Sequence, residues 1–152
     1  MPELRPILLV EDNPRDLELT LTALEKCQIA NDIVVARDGA EALDFLYLSG
    51  SHAGRDPGDP AVVLLDLKLP KVDGLEVLEK VKRDESLRHV PVVMLTSSRE
   101  EQDLVKSYEL GVNAFVVKPV EFNQFFKAIQ DLGVFWALVN EAPPKLRQVG
   151  GN

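Results

Sequence analysis

Five short apolar runs recur along the chain, and each is followed by a segment whose apolar residues have helical spacing. Runs this short are typical of buried strands, whereas buried helices need at least about ten residues. The runs are apolar at nearly every position, which is the pattern of parallel strands covered on both faces. The predicted strands are Ile7–Val10, Ile33–Ala36, Val62–Leu65, Val90–Leu95 and Ala114–Val117.

Strands that alternate with helices in this way predict an α/β fold with a doubly wound, five-stranded parallel sheet. The last helix is the longest and is predicted to run from about Phe122 to Val139. The largest irregular segment is the polar, glycine- and proline-rich loop Ser49–Pro60. We expect residues 1–140 to form one domain and residues 141–152 to form a disordered tail.

Composition argues against several classes of function. The formal net charge is -8 and the pI about 4.8, so the phosphate backbone of a nucleic acid would be repelled. No apolar run approaches the roughly 20 residues of a membrane span. The single cysteine, Cys27, cannot form an internal disulfide, which fits a reducing cytoplasm, and we expect it in the core. His52 and His89 follow no predicted strand and are expected at the surface.

Polar residues follow the last apolar residue of four predicted strands. Glu11 and Asp12 come after the first strand, Asp66 after the third, Thr96 after the fourth and Lys118 after the fifth. The carboxyl ends of parallel strands lie at one edge of the sheet, where open α/β sheets bind their ligands. The sequence therefore predicts that these five residues meet in one pocket.

Three carboxylates in one pocket repel one another and raise the pKa of at least one of them unless a cation compensates. Oxygen ligands at a partly open site suit Mg²⁺, and Lys118 adds a positive charge. One acid can then act as a nucleophile toward a phosphoryl group, to which Thr96 can donate a hydrogen bond. Asp12 or Thr96 alone could equally be a helix cap, but the five residues together favour phosphoryl transfer to a carboxylate.

Two other classes of protein are disfavoured by residues that the chain lacks. A phosphatase of the haloacid dehalogenase type also has a nucleophilic aspartate after a parallel strand, but it needs a second aspartate two residues later, where this chain has Lys68. A nucleotide-binding protein would carry a Rossmann-type or P-loop glycine motif, and the sequence contains neither.

Four segments, ILLVEDN, VVLLDLKLPKVDG, VVMLTS and FVVKP, resemble the receiver domain of two-component response regulators. The resemblance extends from about Pro6 to Leu132. It implies a flavodoxin-like fold of five β-α units and a phosphorelay function in which a sensor histidine kinase phosphorylates Asp66. Such a receiver promotes only its own phosphorylation and dephosphorylation and is not a conventional enzyme. The alternative is a receiver-fold interaction module that acts without phosphorylation, although such modules usually lack the acceptor or the lysine, and this chain has both.

The resemblance also implies a metal site. Asp66 would be the phosphoacceptor, and Asp12 would bind Mg²⁺ directly, with Mn²⁺ as a possible substitute. Glu11 would act mostly through metal-bound water, and Lys68 would offer its backbone carbonyl. Many family members have aspartate where this chain has Glu11, a common variant that should not prevent metal binding.

A second set of implied roles concerns the switch. Lys118 would pair with the acidic pocket, and its peptide bond to Pro119 would be cis. The hydroxyl of Thr96 would move onto the phosphoryl group while the ring of Phe115 turns inward. Other members have tyrosine where this chain has Phe115, so any hydrogen bond from a buried hydroxyl is absent here.

Two further expectations concern the partners of the protein. The loop Ser49–Pro60 and the aromatic C-terminal extension resemble the small regulators that are paired with cyanobacterial phytochromes, which implies a phytochrome-type kinase as partner. In the last helix, one apolar face covers the sheet and a second apolar set points elsewhere, which favours a homodimer. The alternative is that the helix ends near Gly133 and the rest folds back onto the domain. The expected dimer contacts are Val134, Phe135, Leu138 and Val139.

Overall fold

A computed structural model describes residues 5–27, 29, 31–107, 112 and 114–132 of the chain. Strands and helices alternate along these residues, as the sequence predicts. The strands are β1 (Ile7–Val10), β2 (Ile33–Ala36), β3 (Val62–Asp66), β4 (Val92–Thr96) and β5 (Ala114–Val117). The helices are α1 (Pro14–Lys26), α2 (Gly39–Tyr47), α3 (Gly74–Arg83), α4 (Arg99–Ser107) and α5 (Phe122–Leu132).

The five strands form one parallel sheet in the order β2-β1-β3-β4-β5. This arrangement confirms the predicted α/β fold class. The strand β3 is central, and Val10 at the end of β1 pairs with Leu65 in it. In β4, Leu95 pairs with Asp66. The carboxyl ends of the three middle strands are therefore level with one another.

Each face of the sheet is covered by its own hydrophobic core, because side chains alternate along a strand. In β1, Leu8 and Val10 face the side on which α2, α3 and α4 pack, whereas Ile7 and Leu9 face α1 and α5. All four side chains are fully buried. This two-sided burial explains why the strands are apolar at successive positions rather than at alternate ones.

Three helices begin at side-chain caps close to strand ends. The Asn13 side chain accepts hydrogen bonds from the backbone N–H groups of Arg15 and Asp16 and so begins α1. Asp38 caps α2 and Asp73 caps α3 in the same manner. Such caps satisfy N–H groups that have no partner within the helix, and they fix where the loops after the strands turn.

The loop Ser49–Pro60 is ordered by one arginine. The Arg55 guanidinium carbon lies 3.9 Å from the ring centroid of Phe45 in α2, and the Nε atom donates to the Phe45 carbonyl. His52 packs against the same ring, with centroids 5.4 Å apart, and its Nε2 atom lies 3.1 Å from Glu41. The expectation of a surface histidine was wrong for His52, whose side chain is 19% exposed. His89 lies at the surface and pairs with Asp59.

The element boundaries differ slightly from those predicted. The fourth strand begins at Val92 rather than Val90, since Pro91 has no N–H group to donate to a ladder. Cys27, expected in the core, is half-buried at the edge of the hydrophobic core that faces α1 and α5. This burial raises the pKa of its thiol to about 11. The expected continuation of α5 beyond residue 132 lies outside the described residues, as do the four expected dimer contacts.

None of the helices in the described ranges is both long enough and apolar enough to cross a membrane.

Close packing at Gly39 yields a first prediction. A Cβ atom at Gly39 would overlap the backbone carbonyl of Val72, in the segment that follows β3. We expect Gly39→Ala to lower the free energy of unfolding by about 2–3 kcal/mol, because backbone has to shift. The matched control is Gly54→Ala, whose Cβ would meet no atom within 4 Å, and which should leave stability unchanged within about 0.5 kcal/mol. Urea denaturation monitored by circular dichroism measures both, and equal midpoints would contradict the packing argument.

Candidate functional site

The predicted acidic residues meet at the carboxyl edge of the sheet. Asp66 is the last residue of β3, and Glu11 directly follows β1, where its N–H donates to the Ala36 carbonyl of β2. Both side chains are buried, with Glu11 fully inaccessible and Asp66 8% exposed. Asp12 is exposed beside them. Two buried carboxylates thus lie next to an accessible one.

Lys118 follows β5 and turns its side chain into this group of acids. Its backbone N–H donates to the Thr96 carbonyl at 2.7 Å, and its peptide bond to Pro119 is cis. The ammonium nitrogen Nζ lies 2.8 Å from Glu11 Oε1 and 3.0 Å from Asp66 Oδ2. Residues from the ends of three strands are therefore joined through one cation.

A third carboxylate reaches Lys118 from helix α1. The Asp16 Oδ2 atom lies 3.1 Å from Lys118 Nζ. Sequence reasoning missed this residue because an acid in the first turn of a helix already has a sufficient explanation in the helix dipole. The signal that could have found it is spacing: Asp16 lies one helical turn after Asp12, on the first turn of the helix that leaves the strand-end pocket.

The acids form a group that suits a hard divalent cation. One carboxylate oxygen from each of Glu11, Asp12 and Asp66 lies within 4.8 Å of the others. An all-oxygen donor set with one exposed member is the kind that Mg²⁺ accepts while it keeps several waters. Lys68, whose backbone carbonyl was expected to contribute, lies beside Asp12 in the lining of a cleft of about 490 Å³. The residues present therefore fit a magnesium or manganese ion.

The electrostatics of the pocket act most strongly on Asp66. Burial raises the pKa of the Asp66 carboxyl to about 7, and the hydrogen bond and negative charge of Glu11 act in the same direction. The Lys118 ammonium opposes this rise. The two carboxylates in turn raise the pKa of Lys118 despite its burial, so this lysine stays protonated at neutral pH. A second cation in the pocket would favour the ionised form of Asp66.

The expected switch residues lie at the edge of this pocket. Thr96 ends β4, next to β3, and is fully buried. Its hydroxyl oxygen has no hydrogen-bond partner in the part of the chain that the structure describes. Phe115 of β5 is half-buried, and the Nζ atom of Lys106 in α4 lies 5.4 Å from its ring centroid. The Phe115 ring is thus turned toward α4 rather than fully enclosed in the core.

Comparison with a protein-family model identifies the fold and its family. The model of the response regulator receiver domain matches residues 7–130, which include every residue of the acidic pocket.

Two relatives are similar to this chain over most of its length. The structure of the bacteriophytochrome response regulator AtBRR is 84% identical, covers 92% of this chain and 100% of its own, and superposes with a TM-score of 0.87. The response regulator Rcp1 of Synechocystis is 40% identical over 86% of this chain and 87% of its own.

Two solved structures capture related proteins in informative states. The Mn²⁺-bound form of Rcp1 is 38% identical, covers 91% of this chain and 99% of its own, and has a TM-score of 0.70. The phosphorylated cyanobacterial phytochrome response regulator RcpA is 39% identical, covers 88% of this chain and 94% of its own, and has a TM-score of 0.71. Strand order, acidic pocket and these matches agree: the chain belongs to the response regulator receiver domain family of two-component systems.

Proposed function

We propose that this receiver accepts a phosphoryl group on Asp66 from the phosphohistidine of a sensor histidine kinase. The observation that carries the proposal is the position of the Asp66 carboxylate, at the end of the central strand, 3.0 Å from the Lys118 ammonium and within the acidic group. The phosphorylated structure of RcpA supports it by relationship.

The transfer needs little covalent chemistry from the protein beyond the acceptor itself. A carboxylate oxygen of Asp66 forms the new O–P bond while the P–N bond to the donor imidazole breaks and its electron pair returns to that ring. Lys118 donates a hydrogen bond toward the phosphoryl oxygens and offsets their charge. A cleft lined by Asp12, Lys68 and Leu67, the residue after Asp66, would be the route by which a donor approaches from the carboxyl edge of the sheet.

Glu11, Asp12 and Asp66 would hold the metal ion, together with the backbone carbonyl of Lys68. A bound Mg²⁺ neutralises negative charge so that a further anion can approach. The Mn²⁺-bound structure of Rcp1 supports a site for a divalent metal ion. In this chain the exposed carboxylate of Asp12 is the ligand that an incoming ion meets first.

The output of the switch would pass through Thr96 and Phe115. The buried Thr96 hydroxyl, without a partner among the described residues, would find one in a phosphoryl oxygen, because unpaired buried polar groups are costly. Its movement would make room for the Phe115 ring, which would then leave Lys106. Phosphorylation would thereby change the surface formed by α4 and β5.

The kinase partner is proposed to be of the phytochrome type, and the location cytoplasmic. AtBRR and RcpA are both described as phytochrome response regulators, and AtBRR shares 84% of its residues with this chain. The unpaired Cys27 agrees with a reducing compartment.

The first test of the function is the acceptor itself. Asp66→Asn should reduce labelling by a cognate kinase or by acetyl phosphate to background, because an amide oxygen is a far weaker nucleophile than a carboxylate. Asp103→Asn, an exposed residue of α4, is the control and should label like the wild type. Labelling of Asp66→Asn at the wild-type rate would disprove the assignment, and a wild type that takes no label from either donor would favour the phosphorylation-independent module.

The metal site predicts a dependence on pH. Because a proton and a cation compete for Asp66, whose pKa is raised to about 7, Mn²⁺ affinity should fall by up to about tenfold for each pH unit below 7. Asp12→Ala should weaken binding by at least about tenfold, and EDTA should stop phosphorylation. Calorimetric titration between pH 5.5 and 8.5 measures the Mn²⁺ affinity. The control is Asp66→Asn, which should lose the pH dependence. Phosphoryl transfer at full rate in EDTA would contradict the proposed metal site.

We also propose a homodimer through the C-terminal segment, on the basis of its sequence alone. Phe135→Asp with Leu138→Asp should convert a dimer to a monomer, because both changes place charge in an apolar contact. Analytical ultracentrifugation compares the wild type with the double variant, each with and without phosphorylation. A wild type that is monomeric at high concentration in both states would contradict the proposal.

A further inference from the structure

The Lys118 ammonium has three N–H donors, and three carboxylates surround it. The Nζ atom lies 2.8 Å from Glu11, 3.0 Å from Asp66 and 3.1 Å from Asp16. The contact to Asp16 is a hydrogen bond as well as an ion pair, whereas Glu11 Oε1 has no hydrogen-bond partner among the described residues. Asp16 is thus the carboxylate that holds the ammonium in a defined direction.

The three acceptors differ in what else they do. Glu11 and Asp66 belong to the acidic group that suits a metal ion, and Asp66 is the proposed phosphoacceptor. Asp16 is outside that group, and within the described ranges its carboxylate forms an ion pair and a hydrogen bond with Lys118 and with no other side chain. Its side chain is 29% exposed, at the rim of the pocket, in contrast to the buried Glu11.

We propose that Asp16 is a positioning residue for Lys118, an inference that rests on the proposed phosphoryl transfer to Asp66. When the phosphoryl group arrives, the ammonium exchanges its ion pair with Asp66 Oδ2 for a phosphoryl oxygen on the same residue. It keeps its hydrogen bond to Asp16 and its ion pair with Glu11. The ammonium therefore stays in place during transfer, although one of its three partners changes chemically.

Asp16 is well placed to hold a flexible group. A lysine stem has four rotatable bonds, and fixing its ammonium is costly in side-chain entropy. Asp16 lies on the first turn of α1, which the Asn13 cap anchors through the backbone N–H of Asp16 itself at 3.0 Å. The carboxylate that orients Lys118 is thus attached to a fixed point of the scaffold rather than to a loop.

The experiment compares Asp16→Ala, Asp16→Asn and the wild type, with Glu18→Ala as control. Asparagine keeps an oxygen that accepts a hydrogen bond but removes the charge, whereas alanine removes both. Glu18 is an exposed acid of the same helix, so Glu18→Ala removes an equal charge outside the pocket. The readouts are the rate of phosphorylation by acetyl phosphate, Mn²⁺ affinity by calorimetry and the Lys118 ammonium signal in a ¹H–¹⁵N spectrum.

We expect Asp16→Ala to slow phosphorylation roughly tenfold, because a displaced catalytic group loses part of its effect. Asp16→Asn should remain within about threefold of the wild type, and Glu18→Ala should match it. Mn²⁺ affinity should change by less than about threefold in all variants, since Asp16 is not among the proposed ligands. The Lys118 signal, visible when the ammonium is held, should broaden in Asp16→Ala and persist in Asp16→Asn.

Two outcomes overturn the inference: an Asp16→Ala variant that reacts at the wild-type rate or faster, and equal losses in the alanine and asparagine variants. The second would assign the effect to charge rather than to a held hydrogen bond. A wild type that takes no phosphoryl group refutes the proposed function instead, and the ammonium signal then decides the positioning role by itself. An unchanged signal in Asp16→Ala overturns that role.

Discussion

The attraction between the Lys118 ammonium and the carboxylates around it is the interaction on which the functional edge of the sheet depends. Glu11 and Asp66 are both buried, and two buried carboxylates side by side are unfavourable without a cation. Lys118 lies within 3.0 Å of both, and Asp16 joins them at 3.1 Å. The Lys118 ammonium therefore connects β1, β3 and α1 to the segment after β5. It also keeps the carboxylates close together in the absence of a metal ion or a phosphoryl group.

A parallel sheet is what makes such a cluster possible from residues more than fifty positions apart. The register that pairs Val10 with Leu65 sets Glu11 beside Asp66, and the hydrogen bond from Lys118 to the Thr96 carbonyl sets the end of β5 beside β4. Because both faces of the sheet are covered by helices, charged residues are excluded from the strand interiors and are found where the strands end. The polar edge that carries the candidate site is a direct consequence of how the core is buried.

The sequence was sufficient for the fold and for most of the site, because strand ends are visible as the points where apolar runs meet polar residues. Glu11, Asp66 and Lys118 were found in this way, and the structure brings them together. Asp16 was not found, since its contact depends on how α1 is oriented, and an acid in a first helical turn raises no question by itself. His52 was misjudged for a related reason: its burial is produced by Phe45 and Arg55, and local composition does not reveal tertiary packing of a loop.

The same electrostatics that would prepare Asp66 for the proposed chemistry also oppose the stability of the protein without metal. A carboxyl whose pKa is about 7 when folded and 3.8 when unfolded binds its proton more tightly in the folded state. The free energy of unfolding therefore falls as the pH rises from about 4 to about 7, and the loss persists above that range. A cation that binds only the folded pocket reverses this loss by mass action. Phosphorylation of Asp66 would act on the same repulsion by a different route, because it moves negative charge from the buried carboxylate to phosphoryl oxygens within reach of Lys118 and Thr96. The proposed responses to metal, proton and phosphoryl group would thus share one cause, the burial of more negative than positive charge at the edge of the sheet.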